Sequence, residues 1–221
     1  MPSANLDFSL QLKCPFTMMV SGPSNCGKST FVKNVLLRRG GLYNSRPGKV
    51  IWYYRLYQNL YDQMLQLGVV DEFVEGMPTM DDLTDKLSDE HNSTIIIDDM
   101  AMEATADTSN IFTVGSHHLN MNVIFICQNI FTRNPHFRQI STNNTYTVLF
   151  KNVRDKTQIV NFAKQYAPGQ TKQFVKNYYD ATKEPHTYLM LDYHQETPDE
   201  HRIRSNFLRE HDTPIRLFQM T

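Results

Sequence analysis

Short apolar runs alternate along this chain with stretches in which apolar residues recur every three or four positions. Residues 16–21 form a first run, closed by a glycine at 22, which predicts a buried strand. Over 28–39, Phe31, Val32, Val35 and Leu36 share one helical face, and Gly40-Gly41 is expected to stop that helix. Residues 49–54 predict a second strand, and Tyr57, Leu60, Tyr61 and Met64 follow at helical spacing. A third strand is expected at 94–97, a fourth at Asn122–Cys127 and a fifth at 145–150. Asp155 can cap a helix that carries Ile159, Val160, Phe162 and Ala163. Thr171–Ala181 predicts a further helix, and 187–191 a last strand. Strands alternating with helices imply an α/β fold: a mostly parallel sheet with helices on both faces.

The length of 221 residues suits one such domain, with 1–14 as an N-terminal extension and 207–221 as a C-terminal tail. No apolar run approaches the roughly 20 residues that span a bilayer. The first residues lack the basic start and apolar stretch of a signal peptide, so an intracellular, non-secreted protein is expected. Cys14, Cys26 and Cys127 are odd in number and contain no CxxC pair, which points to reduced thiols. The net charge of −1 conceals an uneven distribution. From position 71 to 107, twelve acidic residues stand against the single Lys86. From 133 to 176, eight lysines and arginines stand against the single Asp155, a stretch that could face a polyanion or form a solvated surface.

The chemistry begins at Gly22-Pro23-Ser24-Asn25-Cys26-Gly27-Lys28-Ser29, which satisfies G-x-x-x-x-G-K-[ST] between a predicted strand and a predicted helix. Its glycines let backbone N–H groups converge on phosphates, and the helix N-terminus adds a positive dipole end. In that arrangement Lys28 reaches the β- and γ-phosphates of ATP, Ser29 ligates Mg²⁺, and Thr30 completes the binding loop. Thr94 to Ile97 then drives a carboxylate pair, Asp98-Asp99, to the C-terminal end of a strand, where ligands sit in open α/β sheets. Asp98 is expected to hold Mg²⁺ and Asp99 to polarise the attacking water. The run at Asn122–Cys127 delivers Gln128 as a sensor of the γ-phosphate. Cys26, beside a helix N-terminus, is expected to have a lowered thiol pKa and to react with alkylating reagents.

Several strings together resemble the FtsK–HerA superfamily of P-loop NTPases, closest to the genome-packaging ATPases of large eukaryotic DNA viruses, virophages and Polinton/Maverick-type elements. They are the loop at 22–30, Asp98-Asp99, Gly115-Ser116-His117-His118-x-Asn120, Cys127-Gln128-Asn129-x-Phe131, Tyr146 through Lys151 to Arg154-Asp155, and Tyr188 to Asp192. The resemblance implies a RecA-like domain in a ring-forming homo-oligomer that pushes double-stranded DNA into a preformed capsid. It further implies a partner at the capsid vertex or portal, and a location at the virus assembly site or in the virion. A ring motor also needs an arginine finger from a neighbouring subunit, for which Arg154 ranks ahead of Arg138. Many members of the superfamily have Glu where this chain has Asp99.

Competing readings are a superfamily-3-type replicative helicase and a non-hydrolysing nucleotide switch. The position of the loop so early in the chain disfavours the first, and the doubled carboxylate disfavours the second. His117 and His118 point different ways on a helix without a cysteine or acid at ligand spacing, so packing or a relay is expected rather than zinc. Trp52 and the tyrosines around it are read as core rather than as base-stacking groups.

Overall fold

A computed structural model describes residues 10–88, 90–208 and 214–220. Its centre is a nine-stranded sheet in the order β3-β2-β4-β5-β1-β6-β7-β8-β9. The strands are β1 (Thr17–Ser21), β2 (Val50–Tyr54), β3 (Glu72–Glu75), β4 (Thr94–Asp98), β5 (Asn122–Cys127), β6 (Tyr146–Phe150), β7 (Tyr188–Asp192), β8 (Ile203–Ser205) and β9 (Arg216–Leu217). From β3 across to β6 all pairings are parallel; β7, β8 and β9 add antiparallel strands.

Both faces of the parallel part are covered, so its strands read as nearly continuous apolar runs. Alternate residues feed two cores: Ile95 and Ile97 enter one, Ile96 the other. The first core lies under α4 (Met80–Leu87), α7 (Pro135–Thr142), α8 (Lys156–Tyr166) and α9 (Thr171–Ala181). The shorter α5 (Ala106–Asn110), a single π-helical turn at Ile111–Gly115 and α6 (Ser116–His118) bridge α4 and β5 on that side. The second core lies under α1 (Lys28–Leu37), α2 (Arg39–Leu42) and α3 (Asn59–Gln66).

Charge is graded along the first helical layer. Over β2 and β3, α4 is anchored by the Tyr53–Asp82 hydrogen bond and the Lys86–Glu72 ion pair, and it exposes Asp81 and Asp85. Toward the other side, α8 and α9 expose Lys164, Lys172 and Lys176, and Tyr178 of α9 donates to the Phe150 carbonyl at the end of β6.

Several expectations are corrected. Gly40 and Gly41 do not end the helical path, because they lie inside α2 after a brief break at Arg38. The strand at 94–98 is the fourth in chain order, since β3 precedes it. The strand after α9 is not the last and runs antiparallel to β6. Within the stretches read as extension and tail, buried Leu12 bridges to Tyr43, and Arg216–Leu217 forms β9. Trp52, Tyr53 and Tyr61 are buried, in line with their reading as core, whereas Tyr54 is half-buried and Tyr57, at 49% exposed, is not a core residue.

Candidate active site

Strand order gathers the motifs. β5 lies between β1 and β4, with Ser21 level with Cys127 and Asp98 level with Ile126. The three strands therefore release their following loops side by side at one sheet edge. These loops carry 22–29, Asp99 and Gln128.

The phosphate loop takes its shape from two glycines. Gly27 sits at φ 104° as the N-cap of α1, a left-handed conformation that disfavours any side chain. Gly22 has no room for one: a Cβ there would lie 2.6 Å from the Cβ of Phe150 and 2.7 Å from the sulfur of Cys26. Lys28 folds back, its Nζ donating to the carbonyls of Gly22 (2.7 Å) and Pro23 (2.9 Å). The ammonium is thus held against the carbonyls of the loop that leads into the N-terminus of α1.

Ser29 Oγ lies 3.5 Å from Asp98 Oδ2. The Tyr61 hydroxyl, on α3, donates to the same oxygen at 2.9 Å. Asp98 is only 3% exposed, and burial pushes its pKa up to about 6, against the lowering effect of the Tyr61 hydrogen bond. The next residue, Asp99, is exposed and occupies the left-handed region at φ 58°. Aspartate tolerates that conformation better than most residues. The turn is pinned by a bond from the Asp99 N–H to the Ile126 carbonyl (3.0 Å) and places Asp99 Oδ2 where Gln128 Nε2 donates to it at 2.9 Å.

Lys28, Ser29, Asp98, Asp99 and Gln128 therefore converge as the sequence suggests. Arg138 and Arg154 do not join them: both are exposed, Arg138 on α7 and Arg154 in the β6–α8 loop, and neither side chain has a hydrogen bond or ion pair among the described residues. Asp155 does not pair with Arg154 but caps α8, accepting from the N–H groups of Thr157 and Gln158. His117 and His118 are both exposed, so neither is a packing residue. No cluster of three metal-ligating side chains occurs among the described residues. The hard oxygen pair Ser29–Asp98 nonetheless suits Mg²⁺, which is commonly held by one or two carboxylates together with substrate phosphates and water. The expected direction of the Cys26 pKa is reversed: burial raises it, outweighing the lowering effect of the nearby Lys28 charge.

Sequence reading missed two groups. Tyr61 was legible only as a core aromatic, yet its hydroxyl reaches Asp98. Gln158, buried at the start of α8, donates to Asn129 next to Gln128 and accepts from Asn152 Nδ2 (3.5 Å), tying the sensor loop to the loop that carries Arg154. A cavity of about 800 Å³ also opens beside the phosphate loop, between α1 and the α9–β7 turn.

A parallel sheet with a phosphate loop after β1, a carboxylate pair after β4 and an amide after β5 defines a P-loop NTPase. No protein-family model matches the sequence, and no curated protein matches it. Among solved structures, the chain shares its fold with the genome packaging NTPase B204 from Sulfolobus turreted icosahedral virus 2. In complex with ATP-gammaS that protein is 12% identical, with a TM-score of 0.55 over 97% of this chain and 98% of its own. Its sulfate complex gives 0.56 at 12% identity over 92% and 96%. B204 described as the DNA-packaging ATPase from Sulfolobus turreted icosahedral virus gives 0.55 at 11% identity, over 92% and 97%. No helix among the described residues is long and apolar enough to cross a membrane.

Proposed function

We propose that this chain is an ATP-hydrolysing motor that moves double-stranded DNA, packaging a viral genome into a preformed capsid. The observation that carries this reading is the convergence of Lys28, Ser29, Asp98, Asp99 and Gln128 at one sheet edge. The fold shared with a viral genome-packaging NTPase supports it. In this reading the loop from Gly22 to Thr30 holds the triphosphate, Ser29 and Asp98 hold Mg²⁺, and the metal neutralises phosphate charge. Asp99 orients the attacking water, and Gln128 reports the state of the γ-phosphate through its hydrogen bond to Asp99.

The residues act as one domain within a homo-oligomeric ring, at the virus assembly site or in the virion, against a capsid vertex or portal component. The basic side chains of α8 and α9 and of the β6–α8 loop contact DNA phosphates without reading sequence. Arg154, or Arg138 in its place, serves a neighbouring subunit as the arginine finger; the absence of an intramolecular partner for either side chain among the described residues leaves it available. The test is the ATPase rate with and without double-stranded DNA. Stimulation is expected, and hydrolysis indifferent to DNA would overturn the motor reading.

A further inference from the structure

The loops that follow β5 and β6 are separated by β1 in the sheet, so no strand ladder joins them. A side chain does. Asp155 caps α8 and accepts from the N–H of Gln158 (3.1 Å), which is half of a capping box. The other half would return the Gln158 side chain to the Asp155 N–H. That N–H is held instead by Asn152 Oδ1 (3.1 Å), which also accepts from the Arg154 N–H (3.0 Å). The Gln158 amide is thereby free of its local role, and it spans from Asn129 to Asn152.

The orientation of each amide on this path is fixed by a backbone group. Asn129 Oδ1 accepts from the Phe131 N–H (2.7 Å), so an oxygen faces Gln158 and accepts from its Nε2. Asn152 Oδ1 is occupied by the N–H groups of 154 and 155, so its Nδ2 faces Gln158 Oε1 at 3.5 Å. Position 158 must therefore donate at one end and accept at the other, which glutamine does and an ionised glutamate does not.

On one side of Gln158, Gln128 donates to Asp99 (2.9 Å) and is joined to Asn129 by a single peptide bond. On the other, the stem of the β6–α8 loop is anchored: the Asn152 N–H donates to the Tyr178 hydroxyl (2.8 Å), which donates to the Phe150 carbonyl (2.9 Å). A continuous path thus runs from Asp99 through Gln128, Asn129, Gln158 and Asn152 to the backbone of Arg154. Gln158 is its buried member and borders a small cavity also lined by Ser21, Ile130 and Asn152. Hydrogen bonds rather than close packing hold this joint.

We infer that Gln158 is a positioning residue that carries the state of the Asp99–Gln128 pair to the loop presenting Arg154. The inference rests on the hydrolytic reading above and on Arg154 as the finger. A double-mutant cycle on the full chain tests it, read as steady-state ATPase activity with double-stranded DNA. Methionine matches glutamine in length but has no donor and only a weak acceptor. Gln158→Met should lower kcat by about 10- to 100-fold through misplacement of Arg154, with the KM for ATP within about twofold and Tm unchanged. In an Arg154→Ala background the same change should cost nothing further, because the group it positions is gone. Gln158→Glu, which keeps only the accepting end, should be no more active than Gln158→Met. Full turnover in either Gln158 variant would overturn the role, as would losses that multiply in the double variant, the mark of a merely structural residue. Full turnover in Arg154→Ala alone would instead remove the finger assignment, and this inference with it.

Discussion

Asp98 combines burial with a function that requires ionisation. Its pKa of about 6 means the folded protein binds this proton more tightly than the unfolded chain, whose carboxyl titrates near 3.9. Stability contributed by this group is therefore full below about pH 4 and lost as pH rises through 6. Metal-dependent binding runs the other way, because the metal requires the carboxylate. Mg²⁺-dependent nucleotide affinity should fall by about tenfold per pH unit below 6, readable by calorimetry at a series of pH values. Tyr61→Phe removes the hydrogen bond that lowers this pKa, so the midpoint should move to higher pH. A midpoint unmoved by the substitution would separate Tyr61 from the metal site. At the same scale, Lys28→Ala should weaken ATP binding by roughly 10- to 100-fold, through loss of a charge-assisted contact to phosphate. Asp99→Asn should keep ATP affinity while lowering turnover by roughly 10²- to 10⁴-fold in a steady-state assay.

Among the elements, the antiparallel strands hold the most exposed liability. Arg204 on β8 is fully buried, with its Nη2 3.1 Å from Asp192 Oδ2 on β7 and its guanidinium over the Phe207 ring. Among the described residues its Nε and Nη1 have no hydrogen-bond partner. Asp192→Asn leaves that cation without a counter-charge and should cost about 3–5 kcal/mol, seen as a lowered Tm. The same pair explains why β8 was not legible in the sequence: a strand with arginine at its centre breaks the apolar pattern, and only its partner across the ladder makes burial tolerable. β3 was hidden for a related reason. As an edge strand of Glu-Phe-Val-Glu it is half-buried, and Glu72 is spoken for by Lys49 and Lys86 from elsewhere in the fold. The central strands β1, β4, β5 and β6 were legible because burial on both faces writes an uninterrupted apolar run. Likewise, the phosphate loop and the carboxylate pair were readable as local strings that dictate their own geometry. Tyr61, Gln158 and the α9–β7 turn were not, since each enters the site from a distant segment and has no signature of its own.

For the whole molecule, the proposed motor makes two demands on solution behaviour. DNA binding through the basic helices should be insensitive to sequence and weaken steeply with salt, log affinity falling linearly with log salt concentration in a filter-binding or anisotropy titration. A strong preference for one sequence would count against it. If Arg154 acts across a subunit boundary, Arg154→Ala should spare ATP affinity and reduce turnover by about 10³-fold. Mixing that variant with Asp99→Asn should then restore part of the activity, because some interfaces join an intact arginine to an intact carboxylate. A mixture as inactive as its components, with rings still formed, would place the finger elsewhere.

The graded helical layer has a consequence that net charge conceals. With exposed acids on α4 over β2 and β3 and exposed lysines on α8 and α9, this helical layer carries opposite charge at its two ends although the formal net charge is −1. Near neutral pH such a protein should be retained by both anion- and cation-exchange resins at low ionic strength, each capturing it by the opposite end. In solution it would approach any highly charged surface already oriented, before a single contact has formed.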